Sequence, residues 1–282
     1  MAETIWLNGK YYDNMDEARV TIEDRGMLFG DGIYEVIRIY DGKPFLLAEH
    51  MDRLLRSAAG IELPLPMAKD EIAAVVREVI ERAAIPEATI YIEVTRGGGP
   101  RFQGWPADPK PNMYMWVKPV APGLDEQRKV GAKAITHPDQ RWLRCDLKTV
   151  NLLANTMARA KARSEGAYEA ILYRENGIVT EASAASAFMV KGGVLYAHPL
   201  DNLVLPGITR WFVTGLAKKL GYQVVEKTFT VDELRQADEI FLTGTQTEVM
   251  PIIKLDDGIV ADGKVGPVTA KIQEAFKKAI RG

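Results

Sequence analysis

Four short segments carry residue types whose spacing suits a shared chemistry. Arg141-Trp-Leu-Arg-Cys-Asp-Leu-Lys148 packs three cations, an Asp and a Trp just ahead of an expected helix. A lysine becomes a nucleophilic amine where neighbouring cations or burial lower its pKa. Lys148 is therefore a candidate nucleophile, although a lone lysine is ordinarily a solvated surface residue. Pro206-Gly-Ile-Thr209 opens a helix, and free N–H groups at such a start suit a phosphate. The alternative is that Thr209 caps its own helix. Thr243-Gly-Thr245-Gln-Thr247 is a second hydroxyl-rich turn, fit for phosphate oxygens or simply a polar turn. Glu181 precedes the small-residue run Ala182-Ser-Ala-Ala-Ser-Ala187, which would let a flat group approach the backbone. A carboxylate in that setting needs a cationic or N–H partner, unless it is an exposed strand end.

The remaining chain must supply the elements that position these groups. Residues 4–12 and 32–40 read as strands, the second continuing through the hairpin dipeptide Asp41-Gly42 into 44–47. Residues 49–59 have helical spacing closed by Gly60, and 67–84 form a longer helix ending before Pro86. Strands at 89–95 and 113–118 enclose 96–111, a Gly- and Pro-rich stretch that reads as a functional surface loop. Ala121-Pro122-Gly123 is the expected linker. Beyond it we expect a strand at 130–136, a helix at 150–163 and short strands at 168–173, 177–180, 185–190 and 194–197. A helix at 208–220 stops at Gly221, and a strand covers 222–229. Thr230-Val-Asp-Glu233 has the capping-box pattern; strands at 239–243 and 249–255 and a helix at 267–280 close the chain. Mixed elements without a regular βαβ rhythm predict an α+β fold.

The bulk numbers bound the partners. At 282 residues, 47% apolar and 26% charged, the chain has room for two cored domains, expected at 1–121 and 122–282. Lys+Arg number 36 against 38 Asp+Glu, so charge gives no reason to expect nucleic acid or an anionic membrane. Apolar runs fall far short of the ~20 residues of a membrane span. The first residues lack a secretory pattern. The single Cys145 excludes an internal disulfide and fits a reducing compartment. With three histidines beside it, no dedicated zinc or other metal site is expected. A cytoplasmic protein is the expectation.

Taken together, the motifs resemble the fold-type IV pyridoxal-phosphate enzymes, and within them the D-amino acid transaminase branch. The resemblance runs essentially end to end. Its strongest stretches are Glu23-Asp-Arg-Gly-Met-Leu-Phe-Gly-Asp-Gly-Ile-Tyr-Glu-Val36, Glu49-His-Met-Asp-Arg-Leu54, Thr95-Arg-Gly97, the Arg141–Leu153 stretch, Tyr168-Glu-Ala-Ile-Leu172, Val179-Thr-Glu181 and Gly207-Ile-Thr-Arg210. It implies two α+β domains with pyridoxal 5′-phosphate in the cleft between them, and a homodimer. Lys148 matches the Schiff-base lysine, and Glu181 the carboxylate facing the pyridine nitrogen. Arg53 matches the phosphate-binding arginine, and Leu205 the apolar residue against the ring. Gly207, Ile208, Thr209, Gly244 and Thr245 match the phosphate cup. Tyr34 and Arg101 match groups that hold the substrate α-carboxylate. The family's loop histidine is here Gln103, which can donate a hydrogen bond but carries no charge. The implied reaction is a ping-pong transfer of an amino group from a D-amino acid to a 2-oxo acid such as 2-oxoglutarate or pyruvate. Its rivals are an L-branched-chain aminotransferase, an (R)-amine transaminase, an aminodeoxychorismate lyase and a catalytically inactive binding protein.

Overall fold

The computed structural model describes residues 4–281. Two compact units divide the chain: Met1–Val120 with Leu147–Leu152, and Ala121–Asp146 with Leu153–Gly282. The second unit is thus not one run from 122 to 282. The backbone of residues 148–150 pairs with one strand of the first unit, and the segment leaves the second unit in two pieces.

The first unit runs β1 (Ile5–Leu7), β2 (Lys10–Tyr12), α1 (Arg25–Phe29), β3 (Gly32–Tyr40), β4 (Lys43–Pro44), α2 (Leu47–Gly60), α3 (Lys69–Ala83), β5 (Ala88–Thr95) and β6 (Asn112–Pro119). Among the described residues its strands form one antiparallel sheet in the order β2-β1-β6-β5-β3-β4. Side chains alternate across a strand, and on β3 Ile33, Ile37 and Ile39 turn inward. They pack with Ile90 and Ile92 of β5, Met51 and Leu54 of α2, and Ile72 and Val76 of α3. Glu35 shares that inward face and is fully buried. A carboxylate there demands partners.

Two local readings change. Residues 4–12 are a hairpin, not one strand, because Asn8 (φ 48°) and Gly9 (φ 88°) turn the chain, as Asn-Gly pairs favour. Residues 44–47 give only the end of β4, since Leu46 turns at φ 55° and α2 starts at Leu47. The short α1 escaped the hydrophobic pattern. It is held by Asp24, whose side chain accepts from the Gly26 N–H at 2.8 Å.

The neck of the 96–111 loop explains the glycine of Thr95-Arg-Gly97. Gly97 has φ 84°, and a Cβ there would overlap the Lys110 carbonyl oxygen. We expect Gly97→Ala to destabilise the protein by about 2 kcal/mol, seen as a lower urea midpoint. An unchanged midpoint would show that the neck can open without cost.

The second unit runs α4 (Leu124–Val130), β7 (Ala132–Pro138), α5 (Leu153–Ser164), β8 (Glu169–Tyr173), β9 (Val179–Ala182), β10 (Ser186–Lys191), β11 (Val194–Ala197), α6 (Ile208–Lys219), β12 (Val224–Glu226), α7 (Val231–Arg235), β13 (Glu239–Gly244), β14 (Glu248–Leu255), β15 (Gly258–Ile259) and α8 (Pro267–Ala279). Its strands order as β12-β11-β10-β13-β14-β7-β8-β9, with β15 beside β14. Pairs β11–β12, β14–β7 and β7–β8 are parallel, so the sheet is mixed. Its core joins Ile240 and Leu242 of β13, Met250 and Ile252 of β14 and Met189 of β10 to Phe229 and Leu234. α6 and α8 pack together and against β13.

Here too boundaries move. α4 occupies 124–130, where a charged stretch and the start of a strand were expected. Its acids, Asp125 and Glu126, lie in the first turn and Arg128 and Lys129 in the last, which suits the helix dipole. α5 starts at Leu153, not 150. The strand expected over 222–229 shortens to β12. The capping box holds: Thr230 accepts from the Glu233 N–H at 3.2 Å and Glu233 from the Thr230 N–H at 2.7 Å. The fold is α+β. No described helix is long and apolar enough to cross a membrane.

Candidate active site

Lys148 belongs to the first unit, and its backbone is pinned on both sides. Its carbonyl accepts from the Tyr34 N–H at 2.9 Å, and its N–H donates to Ser57 Oγ on α2 at 3.1 Å. Ile33 and Thr149 form an antiparallel bridge, and the Val150 N–H reaches the Gly32 carbonyl at 3.0 Å. The lysine strand is therefore laid along the start of β3. Its amine stands 4.0 Å from the centre of the Tyr34 ring, and the side chain is only half-buried.

Directly behind, on the inward face of β3, Glu35 meets α2. His50 and Arg53 lie three residues apart and so share one helix face. Arg53 Nε and Nη2 donate to the two Glu35 oxygens at 2.7 and 2.8 Å, and His50 Nδ1 lies 2.7 Å from Oε2. Burial pushes the Glu35 carboxyl up, but Arg53 and then His50 outweigh it and hold the group well below the usual carboxylate range. Burial pushes His50 the other way, toward the neutral ring, against the pull of Glu35. Glu35 thus fixes one edge of the Arg53 fork, a constraint that the sequence pattern did not reveal.

Glu181 is carried by β9 in the second unit and is buried. The partner that such a carboxylate requires is Arg141. Arg141 Nη1 donates to Glu181 Oε1. Its Nε and Nη2 hold Asp139 at 2.9 and 2.8 Å, and Nη2 also reaches the Leu203 carbonyl at 3.1 Å. Thr180 Oγ1 donates to Asp139 at 2.8 Å. The Leu205 N–H approaches both Glu181 oxygens at 3.2 Å. Burial still dominates at Glu181 and lifts its carboxyl above the ordinary value despite Arg141 and Leu205. One more positive N–H opposite it would complete the compensation, which is what a protonated pyridine nitrogen offers.

The two candidate phosphate turns converge through β10. Ser186 of β10 pairs with Thr243 of β13, and a Cβ on Gly207 would come within 2.9 Å of Ser186 Oγ. Gly207, not Thr209, is the N-cap of α6, and no side chain caps the helix. Its first amides are left for another acceptor. Beside them Thr243 Oγ1 is buried without a hydrogen-bond partner among the described residues. A Cβ on Gly244 would meet Thr247 Oγ1 at 3.3 Å. An uncapped helix start, an orphaned hydroxyl and two glycines in close quarters fit a phosphate ester.

The loop residues stand apart. Arg101 and Gln103 are exposed; the Arg101 guanidinium lies over Phe29 at 5.4 Å from the ring centre. The loop itself is tied by Arg25, which donates to the Phe102 carbonyl at 2.9 Å and to Asp31 at 2.8 Å. Asp31 also takes Arg96 Nε at 2.9 Å. Cys145 is buried, its thiol pushed up to about 11 chiefly by burial. That leaves it a buried filler and not a reactive thiol.

Residues 32–255 match the family model Amino-transferase class IV. The D-alanine aminotransferase of Listeria monocytogenes serotype 4b (strain F2365) is 44% identical over 267 residues, covering 94% of this chain and 92% of that relative. Among solved structures, the Escherichia coli branched-chain amino acid aminotransferase superposes with a TM-score of 0.94 at 31% identity, covering 99% of this chain and 95% of that one. The Thermobaculum terrenum branched-chain amino acid aminotransferase in its PLP form gives 0.89 at 25% identity, over 99% and 94%. A lysine strand pinned beside a tyrosine, an arginine-bound buried carboxylate and two turns fit for a phosphate therefore lie on a full-length match, and the chain belongs to the class IV aminotransferases.

Proposed function

We propose that the protein uses pyridoxal 5′-phosphate to move the amino group of a D-amino acid to a 2-oxo acid, 2-oxoglutarate or pyruvate, by a ping-pong route. The observation that carries this is Lys148, its backbone clamped between β3 and α2 and its amine 4.0 Å over Tyr34. When bound, the cofactor supplies a ring that accepts the electron pair left at the donor α-carbon. Lys148 would hold the cofactor covalently, and its amine would carry the proton taken from the donor α-carbon. Glu181, steadied by Arg141, keeps the proton on the pyridine nitrogen. Arg53 contributes charge to the phosphate, and Gly207, Ile208, Thr209, Gly244 and Thr245 contribute N–H and hydroxyl donors. Leu205, whose N–H reaches Glu181, would lie against the cofactor ring. Tyr34, Arg101 and Gln103 hold the α-carboxylate, Gln103 without the charge a histidine could bring. We place the protein in the cytoplasm as a homodimer, in keeping with its lone buried thiol and the family resemblance.

The test is a half-reaction screen: holoenzyme is mixed with single D-amino acids, L-amino acids and simple amines, and loss of the cofactor's absorbance band is followed. Conversion by D-amino acids alone supports the reading. Because both solved structures named above are branched-chain aminotransferases, conversion by L-leucine or L-valine alone would replace it with the L reading. Conversion by simple amines with Arg101 dispensable would favour an (R)-amine transaminase. Glu181→Gln is expected to lower kcat about 100-fold with little change in KM, since it removes the charge that keeps the ring nitrogen protonated. A kcat within about twofold of wild type would remove Glu181 from this role.

A further inference from the structure

The D-amino acid reading leaves open which donor side chains are accepted, and the outward face of the first unit's sheet bears on this. Tyr34 on β3 is the cross-strand partner of Glu93 on β5, and Glu93 is the partner of Tyr114 on β6. Tyr91 pairs likewise with Trp116. Cross-strand partners share a face, so these five side chains lie together, opposite the face that packs against α2 and α3. All five are partly exposed. Their rings form a row: Tyr34 to Tyr91 at 5.7 Å, Tyr91 to Trp116 at 4.2 Å and Trp116 to Tyr114 at 6.0 Å, each pair within 24° of parallel. Ammonium groups already lie against two of these rings. Lys148 Nζ lies 4.0 Å from the Tyr34 ring, and Lys118 Nζ lies 5.8 Å from that of Trp116.

Glu93 occupies the middle. The Tyr91 hydroxyl donates to its carboxylate, and Tyr114 is its cross-strand neighbour on β6. No ion pair to it forms among the described residues, whereas Glu35 has Arg53, Asp31 has Arg25 and Arg96, and Glu169 has Arg159. Burial pushes the Glu93 carboxyl above its usual value; the two phenols oppose this, and Asp24 adds to it. A half-buried carboxylate without a countercharge draws a cation, and the flanking rings offer cation–π attraction to the same group.

We propose that Glu93, framed by Tyr91 and Tyr114, is the subsite for a cationic donor side chain. Donors that end in an ammonium group, D-ornithine and D-lysine, are then preferred over neutral donors of the same carbon length. The side-chain ammonium donates to Glu93. This inference rests on the D-amino acid reading.

The experiment compares kcat/KM of holoenzyme for D-ornithine against D-norvaline and D-lysine against D-norleucine, with D-alanine run in every series, in wild type and Glu93→Gln. The charged-to-neutral ratio is expected to be about 10 in wild type and to fall to about 1 in Glu93→Gln, where the Tyr91 phenol keeps a hydrogen-bond partner but the charge is gone. A wild-type ratio near 1, or one that survives Glu93→Gln, overturns the subsite. Should Glu93→Gln fail to fold, the wild-type ratio decides alone. Turnover of D-alanine without any charged preference sinks the subsite and spares the D-amino acid reading. Conversion of L-donors only sinks both.

Discussion

Protein carrying Lys148→Ala is expected to lose at least about 10⁴-fold of its transamination rate while folding as wild type does. The lysine's structural bonds are made by its backbone, to Tyr34 and Ser57. Alanine keeps both, and the half-buried side chain leaves no cavity in the core. The loss should therefore fall on chemistry alone, since in the proposed function the residue both anchors the cofactor and carries the proton. Two measurements check it: kcat with D-alanine and 2-oxoglutarate, and the mass of peptides after borohydride reduction. Wild-type protein should carry a pyridoxyl group on the peptide containing Lys148, and the variant none. Retention of more than about 1% of the rate, or a label on another lysine, would require a different nucleophile.

Arg141→Met is expected to give the largest loss of stability, about 3–5 kcal/mol at pH 7. Methionine preserves bulk but leaves Glu181 and Asp139 without the cation between them. Thr180 still donates to Asp139, and Arg174 lies 3.2 Å from it, which keeps the loss from being larger. The pH dependence has a definite sign. Burial raises the Asp139 carboxyl, but Arg141 outweighs it and holds the group below its ordinary value. Stability from such a depressed carboxyl is present above the unfolded value, about 3.9, and is lost as pH falls through the folded one. The gap between variant and wild type should therefore narrow below about pH 4. Urea unfolding at pH 7 and in acid reads it. A gap that widens in acid would mean that Asp139 and Glu181 are not the groups Arg141 compensates. Arg141→Lys should fall between the two, because an ammonium cannot span both carboxylates as the planar fork does.

Several elements were legible from local pattern because local forces dominate them. β3 follows its alternation from Gly32 to Tyr40, the Asp41-Gly42 turn closes it, and Thr230 with Glu233 caps α7. Two more carried readable signals that the pattern reading passed over: the Asn8-Gly9 turn dipeptide and the acid-to-base polarity of α4. The candidate nucleophile, the carboxylate and both phosphate turns each had an ordinary reading when taken alone, and they could be nominated only because several motifs fall together in the family's order.

Other features depend on chain segments far apart. Nothing near Glu181 announces that its cation sits 40 positions earlier on Arg141, nor that Glu35 fixes Arg53 from the neighbouring sheet. Residues 147–152 follow the linker in the chain yet join the first unit, because their backbone finds β3 and α2 as hydrogen-bond partners. The motif order of this chain was enough to recognise an α+β class IV aminotransferase and to nominate Lys148. Only folding in three dimensions chose the ion pairs and the unit that holds that lysine. Buried charges and open backbone amides take whichever complementary group packing brings near, and sequence distance does not record it.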